Sequence, residues 1–404
     1  MIDNFPASEA AAVDIVRDHY NATRRLAILG GNTRAGFGSE IAVSARLRSS
    51  GLSGIVSYEP REMVMTARAG TPLLDIEAAL DEHGQMMSFE PMDHRPLMGT
   101  SGVPTIGGVF AANVSGPRRL LAGAARDSLL GLRFINGRGE LIKAGGRVMK
   151  NVTGLDLARL LAGSYGTLGF VTEVTFRAPP RPKTEATLVV GDLDDAGAAK
   201  AMAHAMAQSV EVSGAAHLPP SVRHAFLGGR LPETSATVLR LEGMAHSVEV
   251  RLKKLSESMS KFGPTSFIEM GSSRQLWREI RDVIPFADGT SRPVWRVSVA
   301  PSAGPELVAA VRLEASVDAF YDWQGGLVWM RMEADAEAEA ERLRGCIKAV
   351  GGGHATLMRA SGAVRAGLQP FQPVGPAVAE LSRRIKEKLD PSGIFNPGRM
   401  AGEW

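Results

Sequence analysis

The sequence predicts an α+β protein built as two domains, and three observations carry that expectation. At 404 residues the chain exceeds the size at which one hydrophobic core keeps growing. Pro179-Pro180-Arg181-Pro182 is a stiff, non-helical stretch that separates two textures of sequence. Beyond it, strand-like segments near 186–190, 236–242, 294–299 and 326–332 alternate with helical ones near 195–208, 244–260 and 334–349, which predicts a sheet with helices on one face. The expected division is residues 1–180, residues 181–370, and a C-terminal segment, 371–404, that returns to the first domain.

In the first domain, Ser8 caps a helix whose inward face reads Val13, Val16 and Tyr20, and Leu26-Ala27-Ile28-Leu29 then forms a strand ending at Gly30-Gly31. Residues 63–68 alternate in the manner of a strand. Thr71 and Pro72 open a helix with Leu73, Ile76 and Leu80 on one face and Gly84 as its stop. Residues 129–144 read as two strands joined across Asn136-Gly137-Arg138-Gly139, and Phe170, Thr172, Val174 and Phe176 mark another strand. Near the end, Val378, Leu381, Ile385 and Leu389 share a helical face ahead of Ile394-Phe395-Asn396-Pro397-Gly398.

Composition excludes several classes. With 44% hydrophobic and 22% charged residues the chain is neither disordered nor fibrous, and a formal charge of +3 with basic residues scattered among acids gives no sign of a nucleic-acid partner. A single cysteine, Cys346, cannot close a disulfide or supply an iron–sulfur cluster, and it sits in an apolar helical pattern that predicts a buried, inert thiol. No basic leader precedes Met1-Ile2-Asp3-Asn4 and no long apolar run follows, so the expectation is a cytoplasmic protein whose membrane contact is peripheral at most.

Three segments interrupt the periodic patterns. Gly30-Gly31-Asn32-Thr33-Arg34 follows a strand, where bare backbone N–H groups can converge on phosphate oxygens. It lacks the lysine of a P-loop and the G-x-G-x-x-G spacing of a Rossmann turn; such a turn taken alone is more often merely a turn, so an anion cradle needs a second element. The second, Pro104-Thr105-Ile106-Gly107-Gly108-Val109-Phe110-Ala111-Ala112-Asn113-Val114-Ser115-Gly116-Pro117, with Arg126-Asp127 after it, sets a few polar handles among apolar residues, as a long and mostly buried ligand would want. The third, Gly163-Ser164-Tyr165-Gly166-Thr167-Leu168-Gly169-Phe170-Val171, is a glycine-rich turn entering a strand.

In this order and spacing the three segments resemble the FAD-binding fold of the vanillyl-alcohol oxidase and p-cresol methylhydroxylase superfamily, and the resemblance spans nearly the whole chain. It implies a two-subdomain FAD-binding domain of the p-cresol methylhydroxylase type with an α+β cap domain. By resemblance, cofactor contacts fall on Gly30, Gly31, Asn32, Thr33, Arg34, Pro91, Thr105, Ile106, Gly107, Gly108, Ala112, Asn113, Ser115, Gly116, Arg126, Asp127, Gly169, Val171 and Asn396. More narrowly, Gly84-Gln85-Met86-Met87-Ser88-Phe89-Glu90-Pro91, Lys150-Asn151-Val152-Thr153-Gly154-Leu155-Asp156-Leu157 and Gly352-Gly353-His354-Ala355-Thr356-Leu357-Met358-Arg359-Ala360 are similar to the FAD-binding subunit of glycolate oxidases. That resemblance implies electron transfer during oxidation of glycolate or a related 2-hydroxyacid, beside a catalytic flavoprotein subunit and an iron–sulfur subunit.

Two departures refine the expectation. Many superfamily members tether the flavin through a histidine after the paired glycines, where Asn32 and Thr33 stand, so dissociable FAD is expected. Hydroxyacid-oxidising relatives carry a His-x-Gly-Asp-Gly-Asn-x-His segment that can hold a metal and take a proton; here only His354 is present, so no metal and no catalytic residue is assigned. His217 and His224 read as solvated loop histidines. Arg359 could hold a substrate carboxylate or simply close a strand, and Trp323 and Trp329 could shape a channel or fill a core. An independent 2-hydroxyacid dehydrogenase and a flavin-free structural partner stay open as alternatives.

Overall fold

The computed structural model describes residues 2–39, 41–147, 154–335 and 337–400; Lys150 to Thr153 of the motif quoted above lie outside them. Three sheets organise the chain. Ile2–Asn4, Ala45–Arg48 and Leu26–Leu29 form a small parallel sheet in that spatial order. Ile55–Glu59, Val64–Arg68, Phe170–Arg177, Leu129–Ile135 and Leu141–Gly145 form an antiparallel sheet of five strands. Residues 184–359 supply an antiparallel sheet of eight strands, ordered Thr265–Ile268, Thr184–Gly191, Ala236–Gly243, Gly214–Leu218, Val317–Asp322, Leu327–Met332, Val294–Val299 and Gly353–Arg359.

Strand alternation gives the large sheet two apolar faces. Residues such as Leu188, Val190, Leu239, Val297 and Met330 point to the face covered by helices Asp195–Met206, Ala245–Met259, Gly304–Arg312 and Ala340–Ala349. Their strand neighbours Val189, Ala216, Val238, Phe320 and Trp329 join one continuous core with Ile76, Phe89, Phe110, Phe134 and Phe176 of the first half. Helix Met270–Arg281 lies on this second face, packing through Leu276, Trp277 and Ile280.

The C-terminal tail adds to the small sheet. Leu26 N–H donates to Ile394 O at 2.7 Å and Asn396 N–H to Leu26 O at 3.0 Å, and Ile394 and Phe395 are fully buried against Leu26, Leu47 and Phe170. Lys386 is buried and donates to Thr167 O, Phe395 O and Asp390 Oδ2, while Asp390 accepts from the N–H groups of Ile394 and Phe395. Helix Pro376–Leu389 thus buries a lysine, whereas Val378 and Leu381 are exposed, the reverse of what hydropathy predicts. Satisfying a buried chain end outranks covering two aliphatic side chains.

Other local differences have similar causes. The first helix, Glu9–Asn21, is capped by Ser8 but buries Ala12, Val16 and His19, with Val13 and Tyr20 half-buried. Thr71 does not cap Leu73–Asp81; its hydroxyl donates toward Arg68 O and Gly54 O, closing the preceding turn. Cys346 is half-buried. Among the described residues no helix is long and apolar enough to cross a membrane.

Ion pairs join the large sheet to the first half. Arg240 grips Glu90 with two parallel bonds of 2.9 and 3.0 Å, and Arg118 donates to Glu242 at 2.9 Å. Burial would lower the Arg240 pKa, but Glu90 and Glu242 overrule it and drive it upward. Arg240→Met should leave Glu90 without its cation and Glu242 with Arg118 alone, and cost about 3–5 kcal/mol of unfolding free energy, read as a fall in the urea midpoint at an unchanged m-value.

Candidate functional site

Three loops meet on one cleft, open to solvent and walled by backbone and small residues. The first leaves the strand Leu26–Leu29 at Gly30. A Cβ on Gly31 would stand 1.5 Å from Val103 O, and one on Gly102 would stand 1.7 Å from Gly31 O, so the two backbones touch where only glycine fits. Thr100 Oγ1 donates to Thr33 O at 2.9 Å beside this crossing. Among the described residues the amides of Gly31, Asn32 and Thr33 donate to no protein acceptor.

The second loop becomes the short helix Ile106–Ala111, capped by Thr105, with Gly107 N–H bonded to Ala69 O at 2.8 Å. The third is held against it by Tyr165 N–H donating to Ala111 O at 2.9 Å. Asn396 closes the ring: its Oδ1 accepts from Ile28 N–H at 2.8 Å and its Nδ2 donates to Tyr165 O at 2.8 Å. Its amide is therefore spent on bracing two walls of the cleft that it lines.

The structure gathers most of the residues singled out in the sequence. Gly30 through Arg34, Thr105, Gly107, Gly108, Ala112, Gly169, Val171 and Asn396 line this cleft. Asn113, Ser115, Gly116 and Arg126 line a second chamber that shares Arg34, Phe37, Ala112 and Tyr165 with the first. Three residues lie elsewhere. Pro91 borders a different cleft beside Arg240, the Ile106 side chain is in the hydrophobic core, and the Asp127 carboxylate accepts from Ala124 N–H to cap its own short helix. Spacing alone cannot say which side of a turn each side chain takes.

The large sheet roofs the second chamber with Arg296, Asp322, Trp329, Thr356 and Met358, and it brings in residues to which sequence reasoning gave no role. Arg34 Nη1 donates to Gly108 O at 3.1 Å and its Nε lies 3.3 Å from His94 Nδ1. Burial and the neighbouring Arg34 hold the His94 pKa well below its usual range, so the ring is neutral at pH 7. Burial lowers Arg34 and Arg296 each to about 10, which leaves both charged, and it raises Tyr165, which keeps its hydroxyl protonated. Burial pushes the Asp322 carboxyl up to about 7, even though it accepts from Trp323 N–H at 2.7 Å. The legible signal for Arg296 was a charge in the middle of the apolar run Val294–Val299.

Several expectations are corrected. Arg359 is not free for a carboxylate: it donates to Phe286 O and Arg292 O and pairs with Asp288 at 3.1 Å. His354 is exposed on the edge strand, opposite Ser298. His217 is a buried strand residue bonded to Thr237 Oγ1 at 2.9 Å and 3.4 Å from Asp195, while His224 is exposed. Trp329 lines the chamber, and Trp323 Nε1 donates to Gly116 O at 3.0 Å.

Asn396→Ala should orphan Ile28 N–H and Tyr165 O and lower stability by about 2–4 kcal/mol in urea titration. For Asp322 the folded state holds a proton that the unfolded chain releases near its ordinary value of 3.8, so the stability tied to this group is full below about pH 4 and is lost as pH rises toward 7. Asp322→Asn is therefore expected to raise the melting temperature by a few degrees at about pH 8 and to change it little at about pH 4.5.

Comparison with known proteins agrees with this geometry. Residues 4–145 match the model of an FAD binding domain. The chain is 34% identical over 381 residues to the glycolate oxidase subunit GlcE of Escherichia coli strain K12, covering 94% of this chain and 93% of that one. It is 35% identical over 138 residues to the glycolate oxidase subunit GlcD of Bacillus subtilis strain 168, covering 34% and 28% of the two chains. Among solved structures, p-cresol methylhydroxylase with substrate bound superposes with a TM-score of 0.74 at 14% identity over 99% of this chain and 88% of that one. Alkyldihydroxyacetonephosphate synthase gives 0.67 at 16% identity over 98% and 76%. By this identity and coverage the chain belongs to the family of the glycolate oxidase subunit GlcE, with an FAD-binding domain in a fold shared with p-cresol methylhydroxylase.

Proposed function

We propose that this chain is the FAD-holding subunit of a glycolate oxidase-type complex and takes part in electron transfer while glycolate or a related 2-hydroxyacid is oxidised. The observation that carries the reading is the convergence of three backbone-rich loops on one cleft in a chain related end to end to GlcE. Unspent amides at Gly31, Asn32 and Thr33 suit phosphate oxygens, and the small residues Gly107, Gly108, Ala111 and Ala112 let a planar group lie against backbone. When bound, FAD supplies an acceptor for two electrons that can pass them on.

In this reading Gly30 to Arg34, Thr105, Gly107 and Gly108 hold the dinucleotide, Gly169 and Val171 wall it, and Asn396 keeps those walls in register. Asn32 is exposed and carries no nucleophile suited to a flavin tether, so the cofactor is held without a covalent bond. The domain limits at 180 and 371, a catalytic flavoprotein partner resembling GlcD, an iron–sulfur subunit and a cytoplasmic setting belong to the same proposal.

The test is the purified chain. Acid precipitation should release FAD into the supernatant, and glycolate should bleach the bound flavin at a useful rate only when the partner flavoprotein is present. A yellow pellet would overturn the non-covalent assignment, a colourless preparation the cofactor reading, and rapid bleaching by glycolate alone the division of labour.

A further inference from the structure

The outer N–H and C=O groups of an edge strand can pair with another chain, and folded proteins blunt such edges with charges, bulges or covering segments. Most edges here are blunted in this way. Leu26–Leu29 is joined by the tail through Ile394 O and Asn396 N–H, and Gly353–Arg359 is covered where Leu357 N–H donates to Pro370 O at 2.7 Å. Ile2–Asn4 is three residues long and carries Asp3, which pairs with Arg46 and Arg48. Ile55–Glu59 is bulged between Ile55 and Ser57, and Leu141–Gly145 carries Lys143. Thr265–Ile268, at the end of the eight-stranded sheet, has none of these devices: the strand holds no charge, no proline and no bulge, and Phe267 on it is 55% exposed.

The register shows which of its backbone groups are free. Thr265 to Ile268 lie opposite Val190 to Thr187, and Gly191 N–H donates to Pro264 O at 2.9 Å. Bonding alternates along an antiparallel ladder, so Ser266 and Ile268 turn their N–H and C=O groups toward Thr184–Gly191, while Thr265 and Phe267 turn theirs away from the sheet. Those outward groups match a second copy of themselves. With a twofold axis at Ser266, Thr265 of each copy stands opposite Phe267 of the other, and each such pair exchanges both of its backbone bonds. Thr265 and Phe267 share a face, so each exposed ring is covered beside the other copy's threonine. The charges at the two ends of the strand agree with this pairing. Lys261 and Glu269 are both exposed and form no ion pair among the described residues, and the same axis sets Glu269 of one copy opposite Gly263 of the other, two residues from its Lys261.

We propose that two copies of this chain join edge to edge through Thr265–Ile268, running antiparallel about a twofold axis at Ser266, so that two eight-stranded sheets become one continuous sheet. Whatever other subunits are present, the assembly then contains this chain in pairs. The inference goes beyond the proposed function and is independent of it, because the pairing surface lies on the outer edge of the large sheet and takes no residue from either chamber.

Sedimentation equilibrium of the purified full-length chain at micromolar concentration is expected to show a dimer that dissociates on dilution. Phe267→Pro deletes an outward N–H that the chain's own ladder does not use, and it should weaken dimerisation by at least about tenfold while circular dichroism and flavin content stay unchanged. Phe267→Lys, which keeps the backbone and adds a charge at the edge, serves if the proline variant fails to fold. Ser266→Cys reads the register directly: across the axis the two Cβ atoms stand about 4.5–5.5 Å apart, so oxidised glutathione should convert this variant to a covalent dimer on a non-reducing gel, while the parent chain, whose single thiol is the half-buried Cys346, stays uncrosslinked. A monomer at every concentration, a dimer that both Phe267 variants leave intact, or a dimer in which Ser266→Cys does not crosslink would each overturn the proposal. Loss of the FAD reading would show as a colourless preparation and would leave the sedimentation result standing.

Discussion

The architecture depends on a contact in which two main chains cross with no side chain between them. The Val103 carbonyl occupies the space a Cβ on Gly31 would need, and the Gly31 carbonyl occupies the space a Cβ on Gly102 would need. That approach brings the loop after the first buried strand against the segment leading to Thr105, and every later feature of the cleft is measured from it. Gly30 faces Thr105 Oγ1 at 2.4 Å from a would-be Cβ, and Gly107 nests on Ala69 in the same way. Absent side chains serve two ends here, because the backbone atoms exposed by close packing are the ones left able to meet a phosphate.

Such a crossing needs support from outside, since loops of glycine lose much conformational entropy when ordered. The support is polar and comes from far along the chain. Asn396 bridges Ile28 of the strand before the first loop and Tyr165 of the third loop across more than two hundred residues of sequence, and Lys386 with Asp390 fixes the tail that carries it. The large sheet adds a second brace through Arg240 and Glu90. Glu90 has φ of 45°, a left-handed conformation that a glutamate adopts at a cost, so the ion pair holds a strained residue in place.

The two chambers divide the chemistry between them. The first presents backbone and small residues, which suits a cofactor held by shape and amide donors. The second presents side chains from the large sheet and from the first half together, with His94, Tyr165 and Asp322 beside Arg34, Arg119, Arg126, Arg281 and Arg296. Their protonation states all follow from burial, which disfavours charge on His94, Tyr165 and Asp322 yet cannot discharge a guanidinium at neutral pH.

The sequence by itself determined the class of fold, the strands at Val64–Arg68 and Phe170–Arg177, the helix at Leu73–Asp81 and the three glycine-rich loops, because period and turn chemistry are local properties. It also carried the resemblance that pointed to FAD. Tertiary structure alone decided the rest. The strand Gly214–Leu218 is buried on both faces and shows no alternation, so periodicity could not reveal it. Arg359 and Arg296 look alike in sequence, yet one is consumed by carbonyls and Asp288 while the other faces a cavity unpaired. Lys386, which no local pattern singles out, is buried against Thr167 O and Phe395 O. The physical reason is common to all three: whether a polar side chain is structural or available depends on partners dozens to hundreds of residues away, and only the folded chain brings those partners within reach.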